Sequence, residues 1–340
     1  MPTHQPSWFS DDHVMVSTAP TCGLSKRGRL LATVDPKTGK RIQVVDAETG
    51  EMTNAIDDKL LADMKALALC KETDTLHFVK SSDVRLRCAV PIYYDNRFVR
   101  RFREVMRTKQ FEGYTSATLG DLLSREIISI RAGHGSPSHD ERIGDVPYIK
   151  VSDLRAGLVN INPTNRVPKS VACAYWKGSS SGLRPFDLLC PERTSKNIGD
   201  FCVLMPGQEQ VVLTKEIIVL RPGLKANFDA FYLLWAMTLK IVREQWRRVI
   251  FMQTNREDVG QRYHEIEIPV PGSKVEADKV SETFRNYFTS IIQARRELSD
   301  YLHKSRAHHF FVSGAQELDD EVATSPEIEP GAAGAENTGG

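Results

Sequence analysis

From Val280 to Tyr301 the residues Val280, Phe284, Tyr287, Ile291, Ala294, Leu298 and Tyr301 recur at spacings of 4, 3, 4, 3, 4 and 3. That period puts them on one narrow stripe of an α-helix for three heptads. It is the pattern of a coiled-coil seam, whereas an ordinary core helix shows a wider apolar face. The start of the helix is also written in the sequence. Ser273 and Glu276 stand three apart, the spacing of a capping box in which each side chain satisfies the other's backbone N–H. The expectation is a coiled-coil spacer helix over 273–306, with Val280, Phe284, Tyr287, Ile291, Leu298 and Tyr301 as a subunit interface; a plain helix docked on the body is the alternative. The partner helix lies in this chain or in another.

Upstream of that helix the 340 residues leave room for about two domains, and no internal repeat is visible. Residues 1–112 form a polar, turn-rich region. Its expected elements are a strand at His13–Ser17, Gly turns at Asp35–Gly39 and Asp46–Gly50, and a helix from Asp57 to Lys71 with Leu60, Leu61, Met64, Leu67 and Ala68 on one face. A strand at Val84–Val90 and a basic helix at Arg97–Arg107, striped by Phe98, Phe102, Val105 and Met106, are expected next. Residues 113–272 alternate strands (Val146–Val151, Leu188–Cys190, Phe201–Met205, Val211–Leu220, Glu265–Val270) with helix. One unbroken helix, Phe228–Ile250, is expected after an Asn227 cap. The predicted fold class is α/β in an α+β arrangement: a mixed sheet with helices, then the long C-terminal helix. Residues 312–340 are rich in Gly, Ala, Glu and Ser and read as a disordered acidic tail.

Lys and Arg number 45 and Asp and Glu 44, a net charge of +1. Seven of the acids (Glu317, Asp319, Asp320, Glu321, Glu327, Glu329 and Glu336) follow Arg306, and no Lys or Arg does. Residues 1–306 therefore carry 45 basic against 37 acidic side chains, a net +8. A basic body suits a polyanion, because neutralising phosphates releases their counterions.

The constellations that catalysis needs are missing from the sequence. There is no dinucleotide or P-loop glycine motif, no paired-His zinc motif and no serine nucleophile elbow. Asp57-Asp58-Lys59 sits where a helix starts, and acids there stabilise the helix dipole. Asn162-Pro163 is followed by Thr164-Asn165 and not by an aromatic, so it is not the loop with which an adenine N6-methylase grips a flipped base. The six cysteines are scattered without a CxxC pair, so neither a zinc site nor a disulfide framework is expected, and they read as small buried residues. No apolar run reaches the roughly 20 residues that span a bilayer, and the N-terminus is not a secretory signal. A cytoplasmic protein with no membrane partner is the expectation.

Two stretches resemble known families. Thr118-Leu-Gly-Asp-Leu-Leu123, Gly144-Asp-Val-Pro-Tyr-Ile-Lys-Val-Ser-Asp-Leu154, Phe186-Asp-Leu-Leu-Cys190 and Ile266-Glu-Ile-Pro-Val-Pro271 occur in that order before the heptad helix. In order and spacing they resemble a target recognition domain of the type I restriction–modification specificity subunits. Phe186 stands where that family has Gly, and Val270 where it has Leu. The stretch Cys22-Gly-Leu-Ser-Lys-Arg-Gly-Arg29, with Ala55-Ile-Asp-Asp-Lys-Leu-Leu61, is similar to the segment that follows the catalytic core of N6-adenine DNA methylases.

The family usually carries two recognition domains, and this chain has room for one. The resemblance therefore implies a non-catalytic half-subunit that binds double-stranded DNA and directs an N6-adenine methyltransferase subunit. That partner is where S-adenosylmethionine is expected, and this chain needs no cofactor of its own. A restriction or translocase subunit, or a second copy of the chain, is a further partner. Bases are read by polar side chains at groove edges, and the candidates lie on Gly-rich loops. They are Arg131, His134, Ser136 and His139; Lys150; Tyr175, Trp176, Lys177 and Ser179 to Ser181; Arg193, Ser195, Lys196 and Asn197; and Gln253, Thr254, Asn255, Arg256 and Gln261. For each of them a solvated loop side chain is the plainer alternative. The competing functions are a complete methyltransferase or nuclease with an unrecognised site, and a protein-binding scaffold.

Overall fold

The computed structural model describes residues 12–25, 27–85, 88, 90–193, 196–252 and 257–304. The chain forms two units: Met1–Arg107 with Glu244–Phe251, and Thr108–Arg243 with Met252–Gly340.

The first unit contains β1 (His13–Ser17), the hairpin β2 (Gln43–Val45) and β3 (Met52–Asn54), α1 (Leu60–Leu67), β4 (Leu76–Lys80) and α2 (Arg97–Met106); β1 pairs antiparallel with β4. Both expected Gly turns are present. Gly39 and Gly50 take φ of +69° and +70°, and their N–H groups donate to the carbonyls of Asp35 and Asp46. Each Asp also accepts backbone N–H bonds within its turn, which holds its carboxyl below the ordinary pKa.

The expected inward face of α1 is corrected by the structure. Leu61 and Met64 stay 51% and 49% exposed, and the residue that α1 buries is Asp63. Its carboxylate accepts from Ser17 Oγ (2.6 Å), Thr75 Oγ1 (2.7 Å) and Thr73 Oγ1 (2.8 Å). Burial alone would raise its pKa, and these hydroxyls outweigh burial and lower it. The anchored acid sets which face turns inward. Asp58 Oδ1 accepts from Leu61 N at 3.0 Å, so Asp58 serves the helix start, while Asp57 pairs with Lys59.

Of the stretch Val84–Val90, the described residues form no strand. Tyr94 pins it, its hydroxyl donating to Cys88 O and accepting from Arg85 N. The helix α2 forms as expected and buries Phe102 completely.

The second unit begins with β5 (Tyr114–Thr118), α3 (Leu119–Ser124), β6 (Ile128–Ala132), β7 (Val146–Ile149), β8 (Leu154–Arg155), β9 (Leu158–Val159) and β10 (Arg166–Val167). It continues with α4 (Lys169–Trp176), β11 (Leu188–Pro191), β12 (Cys202–Val203), β13 (Val212–Leu213), β14 (Ile217–Pro222), α5 (Ala230–Thr238) and α6 (Lys240–Arg243). A six-stranded sheet runs β6-β14-β11-β12-β9-β8 and a three-stranded one β10-β7-β13; both mix parallel and antiparallel pairs. The single strand expected over Val211–Leu220 is two, because a turn closed by Ile217 N to Thr214 O lets one apolar run serve both sheets. Leu189, Leu213, Ile217 and Val219 form the core between them.

The unbroken helix Phe228–Ile250 is not observed. Its cap is Asp229, which accepts from Tyr232 N at 2.9 Å, and α5 ends where Leu239 turns extended (ψ +130°). The rest is α6 and α7 (Trp246–Val249), and α7 belongs to the first unit, where Trp246 is fully buried. Within that unit Arg247 lies over the Phe98 ring and Arg248 over Tyr93. With no Gly or Pro at the break, tertiary packing alone divides the helix.

After the two-residue strands β15 (Phe251–Met252) and β16 (Glu257–Asp258), β17 (Glu267–Pro271) pairs antiparallel with β5, Tyr114 opposite Pro271. The first and last strands of the second unit thus close on each other. Then comes α8 (Lys274–Lys304), with the expected Ser273–Glu276 box formed.

The stripe α8 buries is not the predicted seam but the one beside it: Ala277, Ser281 and Phe288. Phe288 stacks on Phe231 of α5, and Arg285 pairs with the α5 cap Asp229 at 2.7 Å. Val280, Phe284 and Ile291 are half-buried, whereas Tyr287, Leu298 and Tyr301 are exposed, Tyr301 at 64%.

Cys88, Cys190 and Cys202 are buried, while Cys22 and Cys70 are exposed, against expectation. Burial pushes the Cys202 thiol up to about 11. Among the described residues no helix is long and apolar enough to cross a membrane.

Candidate nucleic-acid interface

The first candidate loop, residues 133–142, leaves edge strand β6 of the large sheet. Its entry needs glycine: a Cβ on Gly133 would lie 2.0 Å from Thr214 O. The loop crosses to the second sheet, where His134 N donates to Leu213 O and Ser136 Oγ meets Thr214 Oγ1 at 3.0 Å. At Gly135 the backbone passes against the Tyr175 ring of α4, which a Cβ would meet at 2.3 Å.

The second loop, 177–186, follows α4 and is fixed to the first. Arg131 Nη2 donates to Ser181 O at 3.2 Å, and His134 Nε2 lies 3.0 Å from the same oxygen. His134 Nδ1 accepts from Leu213 N at 2.9 Å. That acceptor role assigns the neutral tautomer with its proton on Nε2, and burial, with Arg131 nearby, lowers the pKa of the ring accordingly. Beneath them Asp187, almost fully buried, takes Arg221 through both oxygens (2.5 and 2.6 Å), and Arg221 also donates to Gly182 O. Burial and the Arg221 charge lower the pKa of Arg131.

Phe186 ends this loop with φ +67°, the left-handed backbone that favours glycine, and its ring packs on Phe231 at 5.0 Å. The geometry accounts for Gly being the residue the resemblance leads one to expect there.

The candidates therefore separate. Arg131 and His134 are half-buried and hold the two loops together, Ser181 is buried, and Trp176 is a core residue whose Nε1 donates to Val211 O. None of these four presents itself to a ligand as expected. Lys150 is half-buried, bonded to Asn165 Oδ1 at 2.7 Å and lying over the Tyr148 ring. Exposed on the joined loops are Ser136, Ser138 and His139 on the first and Lys177, Ser179, Ser180 and Arg184 on the second.

Arg193 and Lys196 are exposed on the third loop, but Asn197 beside them reaches Leu154 O at 3.5 Å on β8, the opposite edge of the sheet from β6. Gln253, Thr254, Asn255 and Arg256 lie outside the described residues, as does Ser195, and Gln261 is exposed. Asn162 forms a local turn, its Oδ1 accepting from Thr164 N and Oγ1. Sequence reasoning missed Asp187 and Arg221 as the foundation of the second loop. The available signal was an Asp just before one apolar run, Leu188–Cys190, and an Arg just after another, Ile217–Leu220, where a charge survives burial only when paired.

No protein-family model and no curated protein matches the chain. Solved structures do. A type I restriction–modification S subunit from M. genitalium aligns at 16% identity and TM-score 0.35 over 56% of this chain and 45% of that one. The HsdS subunit from Thermoanaerobacter tengcongensis aligns at 18% and 0.34 over 66% and 47%. The type IIG restriction endonuclease BpuSI aligns at 12% and 0.40 over 66% and 33%. The chain spans about half the length of the two S subunits and a third of the endonuclease. It is a mixed α/β chain with a long C-terminal helix.

Proposed function

We propose that the chain is a sequence-specific DNA-binding specificity subunit that directs a partner N6-adenine methyltransferase to its site. The observation that carries this reading is the pair of cross-tied loops, 133–142 and 177–186. Arg131, His134 and Arg221 bond inside the structure to the carbonyls of Ser181 and Gly182 and to Asp187, which fixes the loop backbones. The fixed loops display the short hydrogen-bonding side chains of Ser136, His139, Ser179 and Ser180 beside the exposed cations Lys177 and Arg184. A preorganised polar surface of this kind loses little entropy on binding and can meet base edges, while the cations take phosphates. The basic body adds affinity that is blind to sequence and steep in salt.

In this mechanism the chain supplies recognition, and methyl transfer occurs on the partner. The C-terminal stripe of Tyr287, Leu298 and Tyr301 is available to a further helix, from the partner or a second copy.

The test is binding of the purified chain, with and without the methyltransferase subunit, to a randomised pool of labelled duplexes at moderate salt. Enrichment of one sequence is expected, and it should be lost in Lys177→Ala/Ser179→Ala with the fold intact. A pool that stays random in both samples would refute the reading.

A further inference from the structure

Between Thr18 and Thr75 the first unit buries no hydrophobic side chain among the described residues; the core takes Val16 and resumes at Leu76. The segment is nonetheless ordered by its backbone. Leu24 bridges Leu30, Ala32 bridges Ile56, Val34 bridges Arg41, and the β2–β3 hairpin extends the ladder. Eleven large apolar side chains of this arm are exposed, among them Leu30 (71%), Val45 (64%) and Met52 (61%), the last two directly opposite each other across the hairpin. At its base α1 continues the pattern, because the anchored Asp63 faces Leu61 and Met64 outward.

A two-stranded hairpin is marginal alone in water, and large exposed apolar side chains concentrated on one segment mark an interaction site. An arm ordered by backbone hydrogen bonds, with no buried apolar side chain among its described residues, is a surface completed by another molecule. Eleven such side chains expose on the order of 1,000 Å², against the roughly 800 Å² that each partner contributes to a standard protein interface.

The charges indicate what kind of molecule. Residues 27–41 carry Arg27, Arg29, Lys37, Lys40 and Arg41 against Asp35 alone, and residues 46–58 carry Asp46, Glu48, Glu51, Asp57 and Asp58 with no Lys or Arg. The acidic limb repels DNA, and large apolar side chains find little to bury on a phosphate backbone. The complementary surface is a folded protein's, apolar at its centre, with an acidic strip on one side and a basic strip on the other. We infer that the arm 19–75 is the docking surface for the methyltransferase subunit, an inference that rests on the function proposed above. Recognition of DNA and recruitment of the enzyme then fall to different units of the chain.

The test uses the full chain, the purified methyltransferase subunit and two variants, Leu30→Glu/Val45→Glu/Met52→Glu and Leu61→Glu/Met64→Glu, all at exposed positions. Calorimetric titration of the wild type with the methyltransferase should give a complex that each variant weakens by at least about 30-fold, the size of a hot-spot loss. Duplex affinity of the isolated chain should change less than about 2-fold, which also shows that the variants fold. Undiminished methyltransferase binding by both variants overturns the inference and leaves the DNA reading standing. Loss of duplex binding would make the arm a DNA element, and a wild-type dimer that the variants split in sedimentation would make it a self-interface; either result overturns the inference. A wild type that binds its duplex but not the methyltransferase also overturns it, whereas a chain that binds the methyltransferase without duplex preference sinks the proposed DNA reading instead.

Discussion

Asp187 sits almost wholly out of water, and an unpaired carboxylate there would be costly, so its partner Arg221 carries more than a surface ion pair would. Arg221→Met should cost about 3 kcal/mol by leaving that charge buried. Adding Asp187→Leu should recover much of the loss, as chemical denaturation of the two variants would show. His134 makes a second prediction, with a definite sign. Its folded pKa lies below the ordinary 6.5, so as pH falls below about 6.5 the unfolded chain takes up the proton first. Stability is complete above that pH and is lost progressively below it. The melting temperature should drop between pH 7.5 and 5.5, and His134→Gln should drop less. Some dependence will remain, because burial lowers His264 as well. The residue types at 131 and 134 were legible in the sequence and their role was not. A donor's direction is decided by a carbonyl about fifty residues away, and no local pattern records that.

Elements were most legible where the signal is short-range. The Ser273–Glu276 box, the Asp–Gly turns and the basic helix α2 all form where the sequence places them. They were least legible where tertiary contacts choose among local options. The helix expected over Phe228–Ile250 ends at Leu239, and its last turn, α7, belongs to the other unit, while α1 turns its acid inward because three distant hydroxyls receive it. On α8 the sequence shows a narrow heptad seam, but the docked stripe through Ala277, Ser281 and Phe288 lies beside it. Phe288→Ala should therefore destabilise the second unit by about 3 kcal/mol, through lost packing on Phe231. Leu298→Glu/Tyr301→Glu should leave its melting temperature unchanged and weaken only association, measured by sedimentation. Equal effects of the two changes on folding would show that the exposed stripe is part of the core.

At the scale of the whole chain, a net charge of +1 is the sum of a +8 body and a purely acidic end. Removing residues after Phe311 should tighten non-specific duplex binding and steepen its dependence on salt, read from log K against log salt. An unchanged slope would show that those seven acids do not oppose phosphate binding. The division into units bears on synthesis as well as on binding. The first unit draws Glu244–Phe251 into itself after the chain has already built most of the second. A ribosome releasing this chain from the N-terminus therefore cannot finish the first unit when its first 107 residues emerge. Tyr93 waits for Phe251, with which it makes an edge contact, and so does the core that includes both. The unit begun first is completed late, which ties completion of its core to prior emergence of the loops 133–142 and 177–186.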